Sequence, residues 1–341
     1  MKKKFITSFV ALVLLIGTAA IDGFGQRKTR TAATTTNQAA SPLTSLPASD
    51  AVMLIDIKRL LNDAVPRVLS NDPVRLAKLN EHVDQIKTRY GLDVRSFERL
   101  AVGLRFQSPR AGVTTTDVVA IASGTFNAGA LLAAGRIAAK GKYQEEKYKN
   151  NTIYIFDITE QGKAPSVMGM RVAKLAVAAL GTNKLIFGEP AGVRAALDGS
   201  RGRGPINAEL IQMAMRNPNA VISFGANVPS SATQGQDFGN EEINKNIASI
   251  RQAYGALGLT ANGFDLTAIA RTAQADQAKS LGDTLAALKM VGGAAISQLP
   301  PDKGKLAQAA LDSLTITTEG NETQLRLEVA QAVINELMRN L

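Results

Sequence analysis

Two stretches of the chain carry apolar residues at i, i+4, i+7 and i+11: Leu79, Val83, Ile86 and Tyr90, then Ile243, Ile247, Ile250 and Tyr254, at a constant offset of 164 residues. Each set is followed by a glycine, Gly91 and Gly255. The spacing predicts one face of an amphipathic helix, and the glycine suits a left-handed C-cap. Asp72-Pro73 supplies the cap and first turn of the earlier helix. Upstream, the apolar runs 51–55 (AVMLI) and 220–224 (AVISF) predict buried strands. Downstream, Gly91-Leu92, Phe97 and Ala101-Val102 match Gly258-Leu259, Phe264 and Ala268-Ile269 at an offset of 167, with three extra residues at Gly255–Leu257 absorbing the difference. Together these matches predict a degenerate tandem duplication.

Around this frame the pattern alternates strands and helices. Arg99–Phe106 and Asp117–Phe126 predict strands around a polar loop, Asn127–Ala139 an Ala-rich helix, and Tyr143–Tyr148 with Thr152–Ile158 a hairpin turning at Lys149–Asn151. Val167–Val172, Lys174–Leu180 and Lys184–Phe187 continue the sheet, and Pro190–Leu197 is a short helix. Later, Ala278, Leu281, Leu285 and Leu288 form a helical stripe. Leu314 and Ile316, the turn Gly320-Asn321, and Leu325, Leu327 and Val329 alternate as a hairpin; Val333, Ile334, Leu337, Met338 and Leu341 lie on a final helix. Clustered strands with short turns predict an α+β fold: two degenerate tandem repeats, antiparallel sheets with helices packed on one face.

Three passages, Leu46-Pro47-Ala48-Ser49-Asp50-Ala51-Val52, Val177–Asp198 and the closing hairpin with its helix, resemble secreted bacterial proteins grouped as domains of unknown function. The resemblance spans most of residues 46–341. It implies a tandem α+β fold in the envelope and supplies no catalytic residues.

The N-terminus gives the address. Lys2, Lys3 and Lys4 precede a largely apolar stretch from Phe5 to Ile21, the layout of a secretory signal over residues 1–25, with cleavage expected after Gly25 and after Ala20 as the competing choice. Residues 26–49 have almost no large apolar side chains and read as a flexible tether. The expected organisation is a first repeat at 50–199, a linker and connecting helix at 200–217, and a second repeat at 218–341, with Gly199–Pro205 as the boundary and Pro229–Gly239 as a further loop. This changes the meaning of the charge: losing Lys2, Lys3, Lys4 and Asp22 lowers the formal +10 to +8, and setting aside Arg27, Lys28 and Arg30 leaves +5. Much of the basicity is address and tether, so no nucleic-acid partner is expected.

Composition then removes most chemistry. With no Cys, disulfides, thiol catalysis and Cys-based zinc sites are excluded; with one His, every nucleophile–His triad would need His82, which lies beside the helix stripe rather than in it. Gly135–Lys142 (GRIAAKGK) has five residues between its glycines where a phosphate loop has four, and Tyr143 stands where Ser or Thr would hold magnesium. Gly199–Gly204 (GSRGRG) offers two arginines on a flexible run, and Glu241-Glu242 with Lys245 is a helix-surface charge pattern. Paired carboxylates stay available, with Asp56, Asp157, Glu160 and Glu189 as candidates, although 5% aromatic content and no Trp argue against a glycan groove. The Ala-rich helix at 128–139 would permit an apolar ligand pocket. The expectation is an exported, non-catalytic binding or scaffold protein of the bacterial envelope, with no metal and no cofactor, whose partner is an apolar small molecule or an envelope protein. A carboxylate-dependent envelope hydrolase and a self-associating structural protein are the alternatives.

Overall fold

The structure, a computed structural model, describes residues 42–110, 113–157, 166–167, 170–171, 174–199, 206–229, 240–296 and 301–339. The signal segment, residues 26–41 of the tether, Glu160, the run 200–205 and the loop 230–239 lie outside the described residues. The chain divides into two compact units: described residues 42–61 and 74–211 form unit 1, and 62–73 with 212–339 form unit 2.

Unit 1 contains β1 (Ala51–Asp56), α1 (Pro73–Tyr90, from Val74 on), β2 (Phe97–Arg110), β3 (Val113–Gly124), α2 (Ala128–Ala139), β4 (Gln144–Tyr148) and β5 (Asn151–Asp157). There follow β6 (Ser166–Val167), β7 (Met170–Arg171), β8 (Lys174–Ala179), β9 (Lys184–Gly188) and α3 (Pro190–Gly199). Its main sheet runs β1-β2-β3-β9-β8-β5-β4, each neighbour antiparallel. The fold is α+β. Contrary to expectation, β6 and β7 pair only with each other. Asn127 caps α2 by accepting from Ala130 N at 2.9 Å, and the helix closes through left-handed Lys140 and Gly141, so the GRIAAKGK run is a helix end.

One face of this sheet carries Val52, Ala101, Val119, Ile121, Ala178 and Ile186, all buried. Helix α3 seats on it, close enough that a Cβ at Gly192 would lie 3.2 Å from Val119. The end of the expected tether seals it further. Residues 42–45 form a short helix, with Leu43 and Leu46 wholly buried, and Gly103 leaves the space that Leu46 and Ser49 occupy. Two leucines are enough to anchor a segment otherwise polar in composition, which is why the tether reading fails from Pro42 onward. Helix α2 lies by the opposite face, where Arg136 stands over the Tyr154 ring at 5.1 Å.

Unit 2 contains β10 (Ala220–Asn227), α5 (Glu241–Ala248), β11 (Ile250–Thr260), β12 (Gly263–Thr272), α6 (Ala275–Ile296), α7 (Pro301–Ser313), β13 (Thr315–Glu319), β14 (Glu322–Ala330) and α8 (Gln331–Arg339); α4 (Ala208–Ala214) spans the chain boundary between the units. The sheet order is β10-β11-β12-β14-β13, again antiparallel throughout. Helix α6 packs on one face: Thr323 donates to Ala278 O at 2.7 Å, and Ala278 and Leu281 are buried. Asn246, buried on α5, donates to Thr284 on α6 at 2.8 Å. The predicted stripe fades along α6, with Leu288 43% exposed. Helix α7 was not expected from the pattern.

The predicted second long helix is overturned. α5 ends at Ala248, and Ile250 and Tyr254 sit on β11. Gly255, read as a C-cap, is a mid-strand residue whose missing Cβ admits the Phe224 ring and Thr267 O. Gly91 does close α1, at φ +67°. The offset of 167 likewise aligns Phe97, which opens β2, with Phe264 on β12, the second strand of the later hairpin. From its first strand, unit 1 runs strand, helix, hairpin, helix, three hairpins and helix, and unit 2 strand, helix, hairpin, two helices, hairpin and helix; in both, the last hairpin pairs back through its second strand, β9 on β3 and β14 on β12. Among the described residues, unit 2 has no counterpart of the β4–β5 hairpin or of β6 and β7.

Candidate functional site

The described carboxylates singled out from the sequence stand at the ends of different strands. Asp56 accepts from Arg59 N at 2.9 Å and caps the helical stretch 57–68. Asp157 is exposed at the end of β5. Glu189 precedes α3; burial, and then the neighbouring Asp117, push its carboxyl above the ordinary range. His82 is exposed on α1 with Nδ1 2.6 Å from Lys78 O, and Glu241, Glu242 and Lys245 are exposed on α5. Among the described residues, no three His, Asp or Glu side chains gather as a metal site would need.

The concentrated polar chemistry is instead on unit 2, on the sheet face turned away from α6. Pairing in register makes a row across four strands: Asn227 opposite Gln252, Gln252 opposite Arg271, Arg271 opposite Glu322. Every step is bonded. Gln252 donates to Asn227 Oδ1 at 3.1 Å, Arg271 donates to Gln252 Oε1 at 2.8 Å, and Arg271 gives both Nε and Nη2 to Glu322 Oε1 at 3.0 and 2.8 Å. Beside the row, the Tyr254 ring is buried between two guanidiniums, Arg216 at 5.1 Å and Arg271 at 5.5 Å, and Arg216 donates to the Tyr254 hydroxyl and to Glu322 Oε2. Burial raises Glu322, but hydrogen bonds from Tyr254 and both arginines outweigh it and hold the carboxyl below its ordinary range.

Further along the same face the central positions are small, Ser223, Gly225, Ala256 and Gly258, and all are buried. Next comes Asp265 opposite Glu328, with Arg326 nearby. Asp265 fits because Gly258 opposite it has no side chain, and burial pushes its carboxyl up, Arg326 pulling it down and Glu328 adding to the rise. Towards the β13 edge the face opens, with Thr315, Thr317 and Glu319 exposed. The contrast with unit 1 is chemical: in the same strand order, the corresponding face there is Val, Ile and Ala sealed under α3.

Sequence reasoning missed this face, though half of its signal was present. The alternation of Leu325, Leu327 and Val329 has a polar complement, Glu322, Gln324, Arg326 and Glu328, at the intervening positions. Tyr254 was hidden by its assignment to a helix.

Burial, aided by the hydrogen bond to Glu322 and opposed by the two arginines, pushes the Tyr254 phenol up to about 12. A phenol raised in the folded state adds stability that is complete below its unfolded value near 10 and is lost as pH rises through about 12. In an ultraviolet titration, the folded chain is expected to show an ionisation near pH 12 that Tyr254→Phe removes. Ionisation of all five tyrosines near pH 10 while the fold persists would refute it.

No protein family's sequence profile matches the chain, and no curated protein matches it. Among solved structures, crystal form III of TP0453 is similar with a TM-score of 0.47 and 10% identity, covering 89% of this chain and 99% of that one. Crystal form IV gives 0.46 and 9%, over 89% and 98%, and crystal form I gives 0.45 and 8%, over 88% and 97%. No helix among the described residues is long and apolar enough to cross a membrane.

Proposed function

We propose that the chain is an exported, non-catalytic binding protein of the bacterial envelope that recognises a protein partner through the polar face of unit 2. Export rests on residues 1–25, a basic start followed by an apolar core of signal-peptide length. The observation that carries recognition is the polar face itself. A sheet face that in unit 1 is apolar and helix-covered is here built of arginine, carboxylate, amide and hydroxyl groups around a tyrosine. Arginine is enriched at protein interfaces, and beside the bonded row the β13 edge of the face leaves Thr315, Thr317 and Glu319 exposed to a partner. Such a face suits a protein surface better than an apolar small molecule.

The test is native against denaturing mass spectrometry of the chain recovered from its own exporting cell. The expected result is a chain starting at Gln26 or Ile21, bound to a protein that cross-links to β12–β14 and is lost from a Thr317→Arg variant with unchanged folding. A chain that keeps Met1 and stays in the cytoplasm would overturn export. A partner whose retention is indifferent to Thr317→Arg and whose cross-links fall elsewhere would overturn the assignment of the face.

A further inference from the structure

Among the described strands of the main sheet, β4 in unit 1 and β13 in unit 2 have a neighbour on one side only. An open edge is a template for another strand, and proteins commonly guard it with charges, proline or a bulge. β4 (QEEKY) carries Glu145, Glu146 and Lys147 in succession. β13 (TITTE) has no charge before Glu319, no proline and no bulge, and four of its five residues are β-branched.

The turn decides which backbone groups this edge offers. Glu319 and Glu322 close over Gly320 and Asn321, with Gly320 at φ +56°, so they are a hydrogen-bonded pair. Bonded and non-bonded pairs alternate from there: Thr317 and Thr315 bond β14, and the N–H and C=O groups of Ile316 and Thr318 point to the open side. The far side of β14 agrees. Thr272 N donates to Asn321 O at 2.9 Å, which gives Thr323, Leu325 and Leu327 to β12 and leaves Glu322, Gln324 and Arg326 to β13. Among the described residues nothing bonds the four outward groups of Ile316 and Thr318.

We propose that a second copy of the chain occupies this edge, β13 running antiparallel to β13 about a two-fold axis at Thr317. The edge complements itself in that register. Ile316 comes opposite Thr318 of the second copy and Thr318 opposite its Ile316, so all the outward groups pair off, in four hydrogen bonds. Thr317 meets its own copy as a non-bonded pair, the closer kind, and two threonines are a favourable cross-strand pair. Glu319, the one charged residue of the strand, comes opposite Thr315, so the two carboxylates do not oppose each other. An axis at Ile316 or Thr318 keeps only half of these bonds within the strands. The resulting dimer joins two polar faces into one surface. It is inferred from the edge alone and does not depend on the partner proposed for that face.

The test is sedimentation equilibrium of the purified exported chain with no other protein present. One short strand from each copy makes a small interface, so the apparent mass is expected to rise from one chain to two between about 1 and 100 µM. Thr317 is exposed. Thr317→Lys and Thr317→Glu, each checked for unchanged thermal unfolding, oppose like charges across the axis and are expected to weaken association by about tenfold or more. Mixed one to one they are expected to associate again, Lys facing Glu. Lys147→Ala, exposed on the β4 edge, is expected to associate like the parent. The proposal is overturned if the parent stays a monomer throughout, if both Thr317 variants associate like the parent, if their mixture stays monomeric, or if Lys147→Ala abolishes the dimer. A monomer here leaves the partner of the polar face to its own test, because no partner is present in this one.

Discussion

Arg271→Ala is expected to destabilise unit 2 by about 2–4 kcal/mol, seen as an earlier urea transition for that unit while unit 1 unfolds as before. The side chain does three things at once: it neutralises Glu322, bonds Gln252 and covers one side of the Tyr254 ring. Truncation leaves a carboxylate, 21% exposed, dependent on Arg216, whose own side chain is 53% exposed. Breaking a buried pair costs more than an exposed one, and this pair lies between those limits. Lysine should rescue little, because one ammonium cannot span Glu322 and Gln252 together. The acid side has a definite sign: Glu322 is held below its ordinary value, so its contribution is present above the unfolded pKa and is lost as pH falls through the folded one. Arg271→Ala should therefore flatten the acid limb of the stability profile. A loss under about 0.5 kcal/mol, the level of an ordinary surface change, would show that the row is ornamental.

In unit 1 the largest expected effect is at a glycine. Gly124 ends β3 opposite Phe97, and a Cβ there would overlap Ser96 O and stand 2.9 Å from Phe97 Cα. Both obstacles are main chain and have no rotamer to give, so Gly124→Ala should cost about 3 kcal/mol or more and lower Tm by roughly 10 °C. Gly135→Ala provides the control. That residue lies within α2 with nothing within 4 Å of the added carbon, and the substitution should stabilise by about 0.5–1 kcal/mol through helix propensity. Thermal unfolding of the two variants side by side reads out both signs. A Gly124→Ala protein as stable as the parent would contradict the close approach of Ser96.

These residues also mark how far the sequence could be read. Leu325, Leu327 and Val329 alternate so strictly that β14 was legible from pattern alone, as were α1 with its Gly91 cap and the β4–β5 hairpin. Ile250 and Tyr254 were not, because i+4 and i+7 spacing from Ile243 and Ile247 fits a helix until one weighs Gly255 and Gly258 inside it. Glycines tolerated at close strand crossings look the same, in sequence, as glycines that stop helices. The polar face was invisible for a different reason: Tyr254, Arg271 and Glu322 come from separate strands that only the sheet register brings together, and Arg216 joins them from the segment before β10. Leu43 and Leu46 show the converse, two apolar residues too few to register as pattern yet decisive once Gly103 leaves room.

The shared strand order has a kinetic side. In both units half of the neighbouring strand pairs are hairpins, as at the Thr260–Gly263 and Glu319–Glu322 turns, and these close over short loops. The ladder that joins one hairpin to the next spans far more chain, from Val119 to Gly188 in unit 1 and from Gly263 to Ala330 in unit 2. Loop closure makes these the slow steps, so each unit should assemble as preformed hairpins that dock late. In unit 1 that docking brings the Val119 strand under α3 and is driven by apolar burial. In unit 2 the same event must align Arg271 with Glu322, so one side of the late step is steered by charge, and its rate should fall with added salt where that of unit 1 does not.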